Sequence, residues 1–166
     1  ITVLDGAECL LTETGEAATQ LPDLYRKGIA SLKGIEAFAN LTTLEPNGIG
    51  ENPIRELDLS GNAKLTTIGW QSVMSGWRSY LTPAPLEVLK LGDVPIEEGR
   101  VVFSSLYCSS PYETSESLTV SGTAVRIIEI SLGSYDKVQW LDITGCPVIQ
   151  RVTLNSYYLK TLYVTA

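Results

Sequence analysis

The chain of 166 residues contains no histidine. That removes every Ser-His and Cys-His nucleophile pair and the commonest zinc ligand, so an ordinary hydrolase triad is excluded on inventory alone. Basic residues are also few. The 12 Lys and Arg against 19 Asp and Glu leave a net charge of −7, and phosphate binding needs clustered cations, so no nucleic acid partner is expected. No apolar run approaches the roughly 20 residues of a membrane-spanning helix. No signal peptide is visible, although a start at Ile1 rather than Met suggests a processed or trimmed chain and is compatible with a lost export signal. Three cysteines, Cys9, Cys108 and Cys146, cannot all pair within one molecule.

What is present is periodic. Ile54, Leu57 and Leu59, a polar turn ending in Asn62, then Leu65 and Ile68 read as one leucine-rich repeat. Leu57 and Leu59 alternate with polar residues and are expected to point into a solenoid from a short strand. The Asn62 side chain is expected to bond the backbone of the turn that follows. From Ser117 onward five strand-like pairs begin at 118, 128, 141, 152 and 162, at intervals of 10, 13, 11 and 10 residues. Every second pair gives 118, 141 and 162, periods of 23 and 21, with a second half-coil nested in each turn. Earlier, Leu32–Ile35 and Leu41–Leu44 read as two halves of a first coil, Leu57 and Ile68 supply the second, and Leu89 opens the third. Coil starts at 35, 57, 89, 118, 141 and 162 predict about six coils over residues 32–166.

The expected fold class is α/β, a solenoid of mostly short parallel strands. A convex-side helix is predicted over 70–80, from the spacing of Val73, Met74, Trp77 and Leu81 ahead of Pro83. The turn-rich stretch 97–116 reads as a long surface loop, and residues 1–31 as an irregular, helical N-terminal cap. Cys146, in Asp142-Ile143-Thr144-Gly145-Cys146, stands where the earlier repeat has Asn62 and reads as a core residue. The chain runs out on a strand around Leu162 with no polar cap, which admits self-association through that coil.

Leu57-Asp58-Leu59-Ser60-Gly61-Asn62 followed by Leu65-Thr66-Thr67-Ile68 resembles bacterial extracellular leucine-rich-repeat proteins, especially the short nested-repeat type of gut-anaerobe surface proteins. Gly34-Ile35-Glu36 and Asn40-Leu41-Thr42-Thr43-Leu44 are similar to linking phrases of those proteins and of internalins. The resemblance covers residues 32 to the C-terminus. It implies export to the cell surface, often with a lipid anchor, and an adhesive role in which a protein or matrix ligand is bound without catalysis.

Residues flanking the inward pairs face outward and form a ladder. On the main column the expected contact residues are Glu56, Asp58, Lys90, Trp140, Asp142 and Tyr163. With strands about 4.8 Å apart, six coils span about 25 Å, enough for one face of a protein interface. Trp140 and Tyr163 are expected as near neighbours beside Asp142, either as a binding anchor or as a cross-strand stack. A structural spacer or self-assembling subunit is the second reading. A carbohydrate-active enzyme is the third: Glu56 and Asp58, about 6.6 Å apart, approach the separation used by inverting glycosidases. A flat ladder has no cleft to exclude water or raise one pKa, so no catalytic residue is assigned. Asp93, Glu97 and Glu98 lack calcium-loop spacing and read as solvated acids, so no metal or cofactor is expected.

Overall fold

A computed structural model describes residues 17–21, 27–44, 52–68, 86–104, 115–131 and 137–165. Its strands are β1 (Thr43–Leu44), β2 (Glu56–Asp58), β3 (Thr67–Ile68), β4 (Val88–Lys90), β5 (Arg100–Ser104), β6 (Ser117–Ser121), β7 (Ile127–Ser131), β8 (Trp140–Gly145), β9 (Arg151–Asn155) and β10 (Thr161–Tyr163). All pair in parallel. The even-numbered strands from β2 to β10 form a five-stranded main sheet in sequence order, β5, β7 and β9 form a three-stranded sheet, and β1 pairs with β3. The chain therefore winds as a parallel-strand β-solenoid, alternating between two faces.

The alternating pattern explains the elements. In β6, Leu118 and Val120 are buried between less buried neighbours, and in β7 Ile128 and Ile130 are. The five pairs read from Ser117 onward are β6 to β10, taken by the two faces in turn. Inward residues stack coil on coil: Leu57 lies opposite Leu89, Leu118 opposite Leu141, and Ile128 between Val101 and Val152. These columns form one continuous apolar core between the sheets.

The corners are built from three-residue steps. Asn62 N–H donates to Leu59 O at 2.9 Å and Leu65 N–H to Asn62 O at 2.9 Å. Cys146 N–H to Ile143 O at 3.0 Å and Ile149 N–H to Cys146 O at 3.2 Å repeat the same turn. It sends the chain from one sheet to the other with its inward side chains kept inside.

Several expectations are corrected. The α/β class gives way to a β-solenoid: among the described residues the helical segments are two 3-10 turns, Ile35–Ala37 and Glu97–Gly99. The nested half-coils are strands of a second sheet, on the side where an α/β coil would carry helices. The helix expected over 70–80 lies outside the described residues. The coil start at Ile35 is one of the 3-10 turns, with Gly34 before it at φ 97. The first part of the expected 97–116 loop is a 3-10 turn and then β5, whose Val101 and Phe103 are buried; alternation there was masked by Val102.

Of the cap expected over 1–31, residues 1–16 and 22–26 lie outside the described residues. Gln20 forms a parallel bridge with Thr43. Thr42 N–H donates to Thr19 O at 2.9 Å and Thr66 N–H to Thr42 O at 3.0 Å, with both threonine hydroxyls reinforcing the same carbonyls. Residues 19–20 thus join the solenoid ladder in extended form. The recurrence of Thr at 19, 42 and 66, at intervals of 23 and 24, was the available signal.

Candidate functional site

The outer face of the main sheet brings the expected contact residues onto adjacent strands, in a register the sequence spacing did not give. Glu56 lies opposite Val88 and Asp58 opposite Lys90. Between β4 and β6 the register moves by two residues, so Val88 faces Thr119 and Leu89 faces Val120 rather than Leu118. Thr119 then faces Asp142, and Asp142 faces Tyr163. One row across the sheet is therefore Glu56, Val88, Thr119, Asp142 and Tyr163. Trp140 belongs to another row, with Ser117 and Thr161, which makes it a diagonal neighbour of Tyr163 and not its direct partner.

Within β8 three residue steps, Asp142 to Gly145, match two steps of β6, Thr119 to Ser121. This bulge re-aims the end of the strand. Asp142 braces it: its Oδ1 accepts the Thr144 N–H at 2.9 Å and the Thr144 hydroxyl at 2.7 Å. Asp58 repeats the arrangement at the end of β2, accepting the Ser60 N–H at 3.0 Å and the Ser60 hydroxyl at 2.6 Å. In both coils one carboxylate oxygen is committed to the chain's own turn, a role legible in the paired phrases Asp-Leu-Ser and Asp-Ile-Thr.

The six expected residues divide into two groups of different character. Glu56, Asp58 and Lys90 satisfy one another: Lys90 Nζ bonds Glu56 and stands 4.0 Å from Asp58 Oδ2. The Ser60 hydroxyl bond, with the Ser60 N–H and Lys90 charge behind it, holds the Asp58 carboxyl below its ordinary pKa. The hydrogen bond and charge of Glu56 raise the Lys90 ammonium above its own. Both groups stay charged near neutrality. A proton-transfer role requires a group poised to change its charge, and neither shift moves in that direction.

Trp140, Asp142 and Tyr163 form the second group, two and three strands further on. Trp140 is 38% exposed and Tyr163 51%. Every large apolar side chain exposed among the described residues lies between Trp140 and Val164. Among the described residues, exposed apolar area is thus concentrated in the segment from Trp140 onward and is not scattered.

Other polar features serve the fold. Asn52, buried, accepts the Lys27 and Ile29 N–H groups on Oδ1, each at 3.0 Å, and fastens an N-terminal segment to the coil. Glu129 bridges Arg100 and Arg151 across the three-stranded sheet; these residues lie far apart in sequence and only the register reveals the group. Asp93 accepts the Thr123 hydroxyl at 2.7 Å, joining two coils. Cys146 is fully buried, its Sγ 3.4 Å from Val120 O, and burial pushes its thiol pKa up, away from a nucleophile's. Among the described residues, no group of three or more Cys, Asp or Glu is placed to hold a metal ion. No helix among them is long and apolar enough to cross a membrane.

No protein-family model, curated protein or solved structure matches the chain.

Proposed function

We propose that the chain is a noncatalytic interaction module of the leucine-rich-repeat kind, exported to the cell surface, which binds a protein or matrix ligand through the outer face of its main sheet. The observation that carries this reading is the pair Trp140 and Tyr163, exposed on adjacent strands beside Asp142, on an otherwise polar, hydrogen-bonded ladder. Tryptophan and tyrosine supply large contact area at small conformational cost and dominate interface energetics. Asp142 has one oxygen fixed by Thr144 and a second available to a donor on the ligand.

The Glu56, Asp58 and Lys90 group contributes less under this reading. A ligand engaging it has to replace ion pairs already made, and exposed pairs of that kind yield little net energy. Charge there favours approach and orientation over affinity.

The experiment is binding of the chain to an array of extracellular matrix proteins, mucins and glycans, with Trp140→Ala and Tyr163→Ala in parallel. A saturable hit weakened about tenfold or more by either substitution supports the face assignment. A hit unchanged in both variants refutes it, and silence across the array shifts weight to a structural spacer. Glycan turnover abolished by Glu56→Gln or Asp58→Asn would overturn the noncatalytic reading.

A further inference from the structure

Asp58 and Asp142 stand at equivalent places in two coils of the main sheet, and the chain supplies a cation to the first alone. Each accepts on Oδ1 the N–H and the hydroxyl of the residue two places on, Ser60 or Thr144. That leaves Oδ2. Opposite Asp58 on the next strand is Lys90, whose Nζ stands 4.0 Å from Asp58 Oδ2. Opposite Asp142 on the next strand is Tyr163, and on the strand before it Thr119. Among the described residues Asp142 forms no ion pair. Lys160, which leads into β10, bonds Gln139 Oε1 at 2.7 Å.

Aromatic surface takes the place of that missing lysine. Tyr163 lies one strand spacing from Asp142, about 4.8 Å, and Trp140 precedes Asp142 by two residues on the same face of β8, about 6.6 Å away. A ring attracts a cation over its face within about 6 Å of its centre, so both rings are in reach of a cation held at Oδ2. The pair Trp140 and Asp142 owes nothing to a sheet edge: β8 is flanked by β6 and β10, and Trp140 is still 38% exposed. The charge of the face agrees. Outward strand positions of the main sheet carry Glu56, Asp58 and Asp142 against Lys90, whereas those of the three-stranded sheet carry Arg100 and Arg151 against Glu129. A cationic ligand is therefore drawn to the main-sheet face.

We propose that Trp140, Asp142 and Tyr163 receive a lysine side chain of a protein ligand, its ammonium taking the place at Asp142 Oδ2 that Lys90 takes at Asp58. This rests on the main-sheet face being the ligand-binding surface, and it names the group recognised there. The count of free acceptors favours lysine over arginine. An arginine fork pairs with both oxygens of a carboxylate, and Asp142 Oδ1 already accepts two bonds from Thr144. A single free oxygen suits a compact ammonium, whose methylene stem can lie along an aromatic ring.

Calorimetric titration of the chain with a short oligolysine peptide tests it, with oligoarginine and fully acetylated oligolysine of the same length alongside. Asp142→Asn and Trp140→Ala are the variants. Glu87→Gln is the control, because it removes the same charge from a carboxylate already paired with Arg55. The expected result is saturable binding of oligolysine, about tenfold weaker or worse after acetylation and in both variants, and changed less than about twofold in the control. Oligoarginine should bind more weakly than oligolysine. Equal losses in Asp142→Asn and Glu87→Gln would reduce the binding to diffuse attraction by a net charge of −7 and overturn the proposal. No binding, indifference to acetylation, or arginine bound as tightly as lysine overturns it too. The acetylated and arginine peptides meet the unaltered chain, so they decide the matter even if a variant fails to fold. Failure of lysine recognition is distinguishable from failure of the matrix-ligand reading. A ligand from the array that is lost in Trp140→Ala but survives acetylation of its lysines refutes lysine recognition alone. Oligolysine binding lost in Asp142→Asn, beside a silent array, refutes the matrix-ligand reading alone.

Discussion

Asn62 and Cys146 occupy the same corner of two different coils. Each N–H closes a three-residue turn, on Leu59 O and Ile143 O, and each side chain reaches a carbonyl of the coil before it. Asn62 Nδ2 donates to Ile35 O at 2.9 Å and Phe38 O at 3.3 Å, and Cys146 Sγ to Val120 O at 3.4 Å. The asparagine thus bonds backward along the solenoid, where the sequence reading had it bonding its own following turn.

Asn62→Ala removes both backward bonds inside a sealed corner. The expected loss is about 1–3 kcal/mol, the range for a buried hydrogen-bonding group deprived of its partner. Urea unfolding of the variant against the parent measures it.

Gly145→Ala should also destabilise, by steric means. A Cβ at Gly145 would stand 2.5 Å from Ser121 Cβ and 3.1 Å from Ser121 Cα, closer than carbon atoms approach. The neighbour is near backbone held in the sheet, so β6 and β8 must separate locally, at about 1–3 kcal/mol. The same denaturation midpoint reports it, with the bulge as the site of change.

The two shifted groups set opposite pH dependences. Asp58, held low chiefly by the Ser60 hydroxyl, contributes stability that is present above the unfolded carboxyl value of about 3.9 and lost as pH falls through its folded value. Lys90, raised chiefly by its hydrogen bond to Glu56, contributes below its unfolded value of about 10.4 and loses that contribution as pH rises through its folded value. Both groups are solvated, so each effect is small. Asp58→Asn should flatten part of the acid limb in a urea-midpoint series from neutrality to below pH ~4, because the amide oxygen keeps the Ser60 bonds without titrating.

Leu141 and Leu162 are register partners with unequal surroundings. Leu141 is fully buried, and Leu141→Ala should cost about 2–5 kcal/mol. Leu162→Ala in dilute protein should cost less than half as much, because its side chain keeps water contact on one side. Equal losses would mean that the last coil is covered in solution.

The strands from Ser117 onward were legible because alternation at short intervals is a local signal: Leu118 and Val120, or Ile128 and Ile130, declare their inward face within three residues. β5 was not, since Val101, Val102 and Phe103 are all apolar and lie in a segment whose remainder is rich in turn residues. The candidate contact residues were legible as outward positions. Their grouping was not, because a two-residue change of register between β4 and β6 leaves every side chain on its expected face while moving it to another row.

The sequence by itself determined that this chain winds as a solenoid, which residues face its core, and that it has no histidine with which to build common catalytic centres. Those properties follow from composition and from the period-two geometry of a strand. The tertiary structure decided that the nested half-coils form a second parallel sheet, that Asp142 and not Trp140 shares a row with Glu56 and Tyr163, and that the exposed apolar surface of the described residues gathers from Trp140 onward. Register and end coverage depend on which segments stack on which, and no local pattern of residues encodes a neighbour two coils away.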